Sequence, residues 1–332
     1  MSQTHTTESY VIRKQMDINS TVRLNNGIEM PWLGLGVFRL KEKGEVEKAV
    51  KTALQNGYRS IDTAAAYHNE EGVAKGILAS GVPRSQIFLT TKIKNDEQGY
   101  QSAIDAFYRS LAYLKTDYLD LLLIHWPLGK KSLKTWKAME ELYEKGLVRA
   151  IGVSNFKVHH LEYLLTDCKV IPAVNQVEFH PRNSQPELLD FCRKNSIQLQ
   201  AWSPLMMGEA VKIPIIQTLA DKYKKTPAQI LLRWDLQKEV VTIPKSGKAE
   251  RIIANAAIFD FEIDDIDMAK INRLNKNFAI VVYRDRTIYL LQMLLKHIFN
   301  KELIFLLLKA FYKKVVQLIT LNPVDKDRKT AS

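Results

Sequence analysis

Short apolar segments alternate with amphipathic segments along most of the chain. Eight short runs rich in β-branched and apolar residues are typical of strands: WLGLG, YRSID, IFLTTK, LDLLLIHW, VRAIGVS, AVNQVE, IQLQAW and VVTIPK. Between them lie segments with helical spacing of apolar residues, among them 45–56, 70–80, 99–114, 134–145 and 158–165. Strands that alternate with helices predict βαβ units and a parallel sheet. Eight such units in one chain favour a closed (β/α)8 TIM barrel, an α/β fold.

The segment before the first predicted barrel strand has a different pattern. TVRLNNGIEM, residues 21–30, places Asn-Asn-Gly between two short apolar runs and predicts a β-hairpin, which we expect to plug the lower end of the barrel. A two-domain dinucleotide-binding fold is the alternative architecture. It requires the pattern G-x-G-x-x-G, but GLGVFR supplies Gly34 and Gly36 and has Arg39 in the third place. The sequence therefore favours one barrel over residues 21–277.

Composition adds limits on the environment and the partners. The 332 residues are 46% hydrophobic, which is enough for a large core, and the net charge of +12 is compatible with an anionic partner such as a nucleotide. Cys168 and Cys192 lack metal-ligand spacing, so neither a disulfide scaffold nor a metal site is indicated, and a reducing cytoplasm is the simplest location. The polar residues 1–20 lack the apolar core of a signal peptide and predict a disordered leader.

The last 55 residues form an apolar and basic segment. Residues 278–332 contain ten Lys and Arg against four acids, and no uncharged apolar run approaches the roughly 20 residues that span a bilayer. Apolar residues at helical spacing, such as Leu303, Leu307 and Leu318, predict an atypical helical extension. An interfacial or partner-binding helix is one interpretation. A replaced terminus without a selected function is the interpretation we favour, and the partner of this tail is unknown.

Polar or aromatic residues close seven of the eight predicted strands. They are Asp62, Lys92, His125, Ser154 with Asn155, Gln176, Trp202 with Ser203, and Lys245 with Ser246. The βα loops of a (β/α)8 barrel form one concave face at the carboxyl ends of the strands. Each residue alone has an ordinary explanation, such as a helix cap or a surface lysine. Seven together predict a functional site on that face.

Tyr67 follows Asp62 by five residues, just before a predicted helix. A phenol with a pKa of about 10 is a poor proton donor at neutral pH unless a nearby cation stabilises the phenolate. We expect Lys92 to be that cation and Asp62 to keep Lys92 charged in a desolvated position. His125 would orient a carbonyl oxygen while Tyr67 protonates it. This combination of residues suits the reduction of a carbonyl group.

Several motifs in order resemble the aldo-keto reductase family. They are Asp62 with Tyr67, LTTK, LLLIHWP, GVSNF, NQVEFHP and IPKS, spread over about residues 21–277. Within the family, the chain looks most like the bacterial glyoxal and methylglyoxal reductases and the related prostaglandin F synthases. The resemblance implies a monomeric TIM barrel that reduces aldehydes and ketones with NADPH. It also implies a catalytic tetrad with Tyr67 as the general acid, and its members here are Asp62, Tyr67, Lys92 and His125.

The resemblance assigns residues to the nicotinamide end of NADPH. Residues that match Ser154, Asn155 and Gln176 bind the carboxamide in the family, and an aromatic residue that matches Trp202 stacks on the ring. Three further positions are expected at the NADPH/NADP site: Gly36, Ser203 and Leu205.

The resemblance also assigns residues to the adenosine end. Residues that match Lys245, Ser246 and Arg251 surround the 2′-phosphate, where two cations favour NADPH over NADH. Asn255 is expected to meet the adenine. A glutamate that is common in this loop is replaced here by Ala254. Without the other motifs, the start of a solvated helix would be the preferred explanation of the loop.

The substrate side carries less information. Trp32, Phe38 and Trp126 flank strand ends and are expected, with His125, to wall a pocket for a small carbonyl substrate, although core packing explains Trp32 as well. The predicted function is NADPH-dependent reduction of small aldehydes and dicarbonyls, with neither nucleic acid nor a membrane span involved. The alternative is an NADPH-binding regulatory or sensor subunit with little turnover.

Overall fold

Eight parallel strands form the central sheet in a computed structural model that describes residues 16–280. Two antiparallel strands, β1 (Thr21–Arg23) and β2 (Glu29–Pro31), precede it. The barrel strands are β3 (Leu35–Gly36), β4 (Ser60–Asp62), β5 (Phe88–Ile93), β6 (Leu121–Ile124), β7 (Ile151–Ser154), β8 (Val174–Glu178), β9 (Gln198–Trp202) and β10 (Val241–Thr242). Each barrel strand pairs with its neighbour in sequence. The prediction of eight strands in a (β/α)8 fold is confirmed.

The first and last barrel strands meet and close the sheet. Parallel bridges join Leu33 to Thr242 and Gly36 to Lys245, and the Gly34 N–H donates to the Thr242 carbonyl over 3.0 Å. A Cβ on Gly36 would lie 2.9 Å from the Ile243 carbonyl oxygen, so only glycine allows this approach of β3 to β10. Gly36, which the sequence assigned to the cofactor site, thus has a structural function in closing the barrel.

Ten helices are present in the described residues. They are α1 (Glu45–Gln55), α2 (Glu70–Ser80), α3 (Gln101–Leu114), α4 (Lys130–Glu144), α5 (Val158–Leu165), α6 (Pro186–Lys194), α7 (Pro214–Tyr223), α8 (Pro227–Gln237), α9 (Ala249–Ala256) and α10 (Asp265–Asn272). The predicted bounds of α2 and α5 match. Helix α4 begins four residues before its predicted start, directly after Gly129, which turns the chain at φ 54°. The prediction missed this first turn because Lys130 and Lys131 add no apolar periodicity. Within residues 16–280, none of these helices is long and apolar enough to cross a membrane.

The hairpin β1–β2 covers the N-terminal end of the barrel. Leu24 and Met30 are buried in one apolar cluster with Phe88, Leu121 and Val174, which lie at or near the starts of barrel strands. The Asn25 and Asn26 amide groups donate to the carbonyls of Pro172 and Arg149 over 3.1 and 2.9 Å. These contacts confirm the predicted hairpin, and they show that it plugs this end.

Short segments outside the predicted barrel limits also pack on the barrel. In the predicted leader, Ile18 packs against the main core, so residues 16–20 are ordered rather than disordered. At the other end, the Phe278 N–H donates to the Arg182 carbonyl over 2.9 Å, and the Ile280 N–H donates to the Glu178 carboxylate. The predictions for residues 1–15 and for the tail from residue 281 onward lie outside the described residues.

Candidate active site

Asp62 and Lys92 meet inside the barrel at its C-terminal end. Asp62 on β4 pairs with Thr90 on β5, so the side chains of these two residues lie on the same face of the sheet. Lys92 lies two residues after Thr90 and therefore also faces the barrel interior. Lys92 Nζ lies 2.6 Å from Asp62 Oδ1 and donates to the Thr63 carbonyl over 2.8 Å. Both side chains are buried. The predicted ion pair is therefore present.

The second oxygen of Asp62 is held by Gln176. Gln176 Nε2 donates to Asp62 Oδ2 over 2.6 Å and to Gln200 Oε1 over 2.9 Å. Gln176, which the resemblance assigned to the nicotinamide carboxamide, thus donates its side-chain amide to Asp62 and Gln200 in this structure. Gln200 was missed in the sequence, where a polar residue in the apolar run IQLQAW was the available signal.

Tyr67 and His125 complete the group. Tyr67 ends a short 3-10 helix, Ala65–Tyr67, that follows β4 directly. Its ring centroid lies 5.2 Å from Lys92 Nζ and 5.7 Å from the ring centroid of His125, which it meets edge to face. The four residues predicted as the tetrad are therefore neighbours in space.

The electrostatics of the site favour a protonated Tyr67. Burial raises the pKa of Asp62 and lowers the pKa of Lys92, and each partner opposes the shift of the other. Burial, and then the charge of Asp62, raises the pKa of Tyr67 well above its usual value. This direction is opposite to the one expected from Lys92, first because the buried phenol is desolvated, and second because Asp62 lies 2.6 Å from that cation and offsets its charge. At neutral pH the phenol retains its proton.

His125 is neutral at physiological pH. Burial and the nearby charge of Lys92 lower the pKa of its imidazole to about 3. Its backbone is fixed on both sides, since its N–H donates to the Ile93 carbonyl over 3.1 Å and its carbonyl accepts from the Asn155 amide over 2.9 Å. A neutral imidazole carries one N–H, which suits it to hydrogen-bond a carbonyl oxygen.

Asn155, Ser154 and Trp202 form one connected unit next to the tetrad. The Asn155 backbone has φ 65°, and its side-chain oxygen accepts from Trp202 Nε1 over 2.9 Å. Ser154 Oγ donates to the Gln176 carbonyl over 2.9 Å. Asn155 therefore links the His125 backbone to the Trp202 ring and fixes the orientation of that ring.

The loop after β9 lies next to Trp202. Ser203 has a positive φ of 56°, and Leu205 packs on the core from a partly buried position. Met207 and Val211 expose 49% and 45% of their surface. Ser203 and Leu205, two of the predicted cofactor residues, thus lie at the C-terminal end of the barrel, as do the four residues predicted as the tetrad.

A basic loop follows β10. Lys245 and Arg251 are exposed, and residues 16–280 place no carboxylate within ion-pair distance of either. Lys248, which the sequence analysis missed, adds a third exposed cation. The Ser246 hydroxyl accepts from the Lys248 N–H over 3.1 Å and shapes the turn before α9, which carries the buried Asn255. Unpaired cations of this kind fit a phosphate group.

The three predicted aromatic wall residues differ in their positions relative to the site. Phe38 is 45% exposed with its ring centroid 4.9 Å from that of Tyr67, and Trp126 follows His125 directly. Trp32 packs against the cluster that contains Leu24 and Met30, at the opposite end of the barrel. The prediction of Trp32 as a pocket residue is therefore wrong, because Trp32 precedes its strand and so lies at the plugged end.

The chain is similar to known proteins over the length of the barrel. The model of the aldo/keto reductase family matches residues 32–276. A glyoxal reductase of Bacillus subtilis is 56% identical over 260 residues, which cover 78% of this chain and 94% of the relative. A methylglyoxal reductase of Salmonella typhimurium is 45% identical over 259 residues, 77% of this chain and 93% of the relative.

A solved structure shows the same architecture. The Bombyx mori aldo-keto reductase in complex with NADP superposes with a TM-score of 0.75 at 36% identity, covering 80% of this chain and 95% of that protein. The family match spans most of the barrel and includes all four tetrad positions. The chain is an oxidoreductase that belongs to the aldo/keto reductase family.

Proposed function

We propose that this protein reduces small aldehydes and dicarbonyls, such as glyoxal and methylglyoxal, to alcohols with NADPH. The observation that carries the proposal is the grouping of a protonated Tyr67, a neutral His125 and the buried Lys92–Asp62 pair at the C-terminal end of the barrel. The names of the two bacterial relatives support the substrate class.

Tyr67 acts as the general acid in this proposal. When bound, NADPH supplies the hydride. His125 donates a hydrogen bond that orients the substrate carbonyl, and Tyr67 gives its proton to the oxygen as negative charge develops there. Lys92 Nζ lies 5.2 Å from the Tyr67 ring centroid and stabilises the resulting phenolate. Asp62 holds Lys92 in place, and Gln176 in turn holds Asp62.

The donor set fits a nicotinamide cofactor with a 2′-phosphate. Trp202 would stack on the nicotinamide ring with its orientation fixed by Asn155. Lys245 and Arg251, which have no carboxylate partner within residues 16–280, would hold the 2′-phosphate. The NADP complex of the Bombyx mori relative supports this assignment. Action as a monomer in the cytoplasm remains a prediction from the sequence.

Steady-state oxidation of NADPH by the purified full-length protein tests the proposal. We expect methylglyoxal and glyoxal to be reduced, and the rate with NADPH to exceed that with NADH. Cofactor binding by fluorescence titration is measured in parallel. Tight NADPH binding without turnover of any small aldehyde would favour the alternative, a regulatory or sensor subunit, over the enzyme.

A further inference from the structure

A buried carboxylate outside the tetrad lies three residues after Tyr67. Glu70, the first residue of α2, is only 5% exposed. It accepts a hydrogen bond from Thr91 Oγ1 over 2.7 Å and a second from the Ser110 hydroxyl. In residues 16–280, no cation lies within ion-pair distance of Glu70. A carboxylate at this depth is costly, so two hydroxyl groups are engaged to hold it there.

The position of Glu70 connects the turn that carries Tyr67 to the strand that carries Lys92. Thr91 precedes Lys92 on β5, and the alternation of the strand turns Lys92 into the barrel and Thr91 out toward α2. Tyr67 and Glu70 are separated by only two residues. The hydrogen bond from Thr91 therefore joins the segment that carries Tyr67 to the strand that carries Lys92.

Asn69 anchors the same turn to other parts of the barrel. Its side chain accepts from Thr63 Oγ1 over 2.9 Å and donates to the Val37 carbonyl over 3.0 Å. Neither contact reaches strand β5. Glu70 is thus the residue at this end of the turn whose side chain bonds to the Lys92 strand.

The charge of Glu70 also acts on Lys92. Burial lowers the pKa of Lys92, the nearby Asp62 opposes that shift most strongly, and Glu70 opposes it further. The remaining groups that face Lys92 are the neutral His125 and the Tyr67 ring. Glu97, which pairs with Arg109, and His68 are the charged or titratable groups that act on Glu70 itself. Burial raises the pKa of Glu70, and the hydrogen bonds with Thr91 and Ser110 oppose that shift. When ionised, Glu70 adds a smaller charge to that of Asp62 in opposing the loss of the proton from Lys92.

We propose that Glu70 is a positioning residue for the reaction: through Thr91, its carboxylate fixes the Tyr67 turn to strand β5. The proposal rests on the assignment of Tyr67 and Lys92 to catalysis made above. It extends the functional group beyond the four residues of the tetrad.

Three variants separate the hydrogen bond from the charge. Glu70→Gln keeps a hydrogen-bond acceptor and removes the charge, Thr91→Val keeps the charge and removes the bond, and Glu70→Ala removes both. Glu71→Gln is the matched control, since Glu71 is exposed in the same first turn of α2. We expect kcat to fall about tenfold to a hundredfold in Glu70→Ala, because small displacements of catalytic groups cost rates of this order. The dissociation constant for NADPH should not change.

The pH profile of kcat distinguishes positioning from a merely structural contribution. Loss of the Glu70 charge lowers the pKa of Lys92, so the alkaline limb in Glu70→Gln should move to lower pH. The limb should stay in place in Glu71→Gln. Wild-type kcat and an unmoved limb in both Glu70→Gln and Glu70→Ala would overturn the proposal.

Crystal structures of the wild type and Glu70→Ala provide a readout that does not depend on turnover. The separation of Lys92 Nζ from the Tyr67 ring centroid, 5.2 Å here, should increase in the variant. If the wild type reduces no small aldehyde, the proposed function fails, whereas an unchanged separation in Glu70→Ala defeats the positioning proposal. If Glu70→Ala does not fold, Thr91→Val takes its place in both measurements.

Discussion

The two ends of the barrel are built from the same strands and are chemically opposite. Phe88 and Lys92 lie four residues apart on β5 and both point inward, as do Leu121 and His125 along β6. At the N-terminal end, inward apolar residues pack against the hairpin residues Leu24 and Met30. At the C-terminal end, the inward residues are an ion pair and an imidazole. One strand thus supplies apolar packing at its start and titratable groups at its end.

The difference shows how an interior can hold charge. Burial of Lys92 and Asp62 is costly, and the cost is offset by their 2.6 Å contact, the Thr63 carbonyl and the Gln176 amide. The plug needs no such compensation, because apolar burial stabilises by about 25 cal/mol per Å². Changes at the polar end should therefore affect turnover first, and changes at the apolar end should affect stability first.

The largest expected effect is that of Tyr67→Phe, which removes the proton donor at the polar end. Turnover of methylglyoxal should fall by a factor of about 10² to 10⁴, as expected for loss of a general acid, while NADPH binding stays near the wild-type value. Tyr118→Phe is the control, because the Tyr118 hydroxyl accepts a hydrogen bond from Arg84, away from the site. Near-normal turnover of Tyr67→Phe would remove Tyr67 from the acid function.

The polar end should also make stability depend on pH through His125. The pKa of its imidazole is about 3 in the folded protein, below the value near 6.5 of an unfolded histidine. The unfolded state therefore binds the proton more readily, so this contribution is complete above pH 6.5 and is lost as the pH falls toward 3. The slope should approach about 1.4 kcal/mol per pH unit.

Urea unfolding between pH 4 and pH 7 measures this dependence. The pH dependence of the free energy of unfolding should be shallower in His125→Gln than in the wild type, because glutamine does not titrate. Identical slopes in the two proteins would show that His125 is accessible to protons in the folded state.

Cofactor preference should respond to one cation on the rim of the polar end. Arg251→Ala should weaken NADPH binding by about 1.5–3 kcal/mol and change NADH binding little, because a charge-assisted contact to the 2′-phosphate is lost. Arg193→Ala is the control, since Arg193 on α6 already pairs with Glu239, which follows α8. Equal losses for the two cofactors would make Arg251 a structural residue.

The smallest expected effect concerns the segment that leaves the barrel. Chains truncated after Ile280 and after Asn277 should both fold and reduce methylglyoxal, because the tetrad lies within the strands and adjacent loops. The shorter chain loses the hydrogen bonds of Phe278 and Ile280 and should be less stable by about 1–3 kcal/mol. Unfolding or loss of turnover in the chain that ends at Ile280 would give the remaining tail an essential function.

Much of the barrel, and the grouping of the four residues predicted as a tetrad, was accessible from the sequence. Strand period, helix spacing and polar residues at strand ends act locally, so Asp62, Lys92 and His125 could be assigned to one face. Trp32 was misassigned although it precedes its strand, and that order places it at the plugged end. A residue that flanks a strand can be assigned to one end of the barrel only if the sequence analysis notes whether it comes before or after that strand.

Other features depend on contacts between distant segments. Gln176 bonds to Asp62 across 114 positions of sequence, and the net charge near Tyr67 depends on how closely Asp62 approaches Lys92. The segment NEEG signalled a helix start, and only the fold shows that Glu70 turns inward to Thr91 while Glu71 stays exposed. Such pairings follow from packing rather than from local pattern.

The separation of chemistry from stability is tested most directly by comparing one variant at each end. Lys92→Met is combined with Asp62→Asn so that no unpaired charge stays buried, and Met30→Ala is made in the plug. Methylglyoxal turnover and the free energy of unfolding are measured for both proteins. The double variant should lose turnover and keep its stability within about 1–2 kcal/mol, whereas Met30→Ala should lose about 2–5 kcal/mol and keep its kcat. Retained turnover in the double variant, or lost kcat in a folded Met30→Ala, would contradict the account.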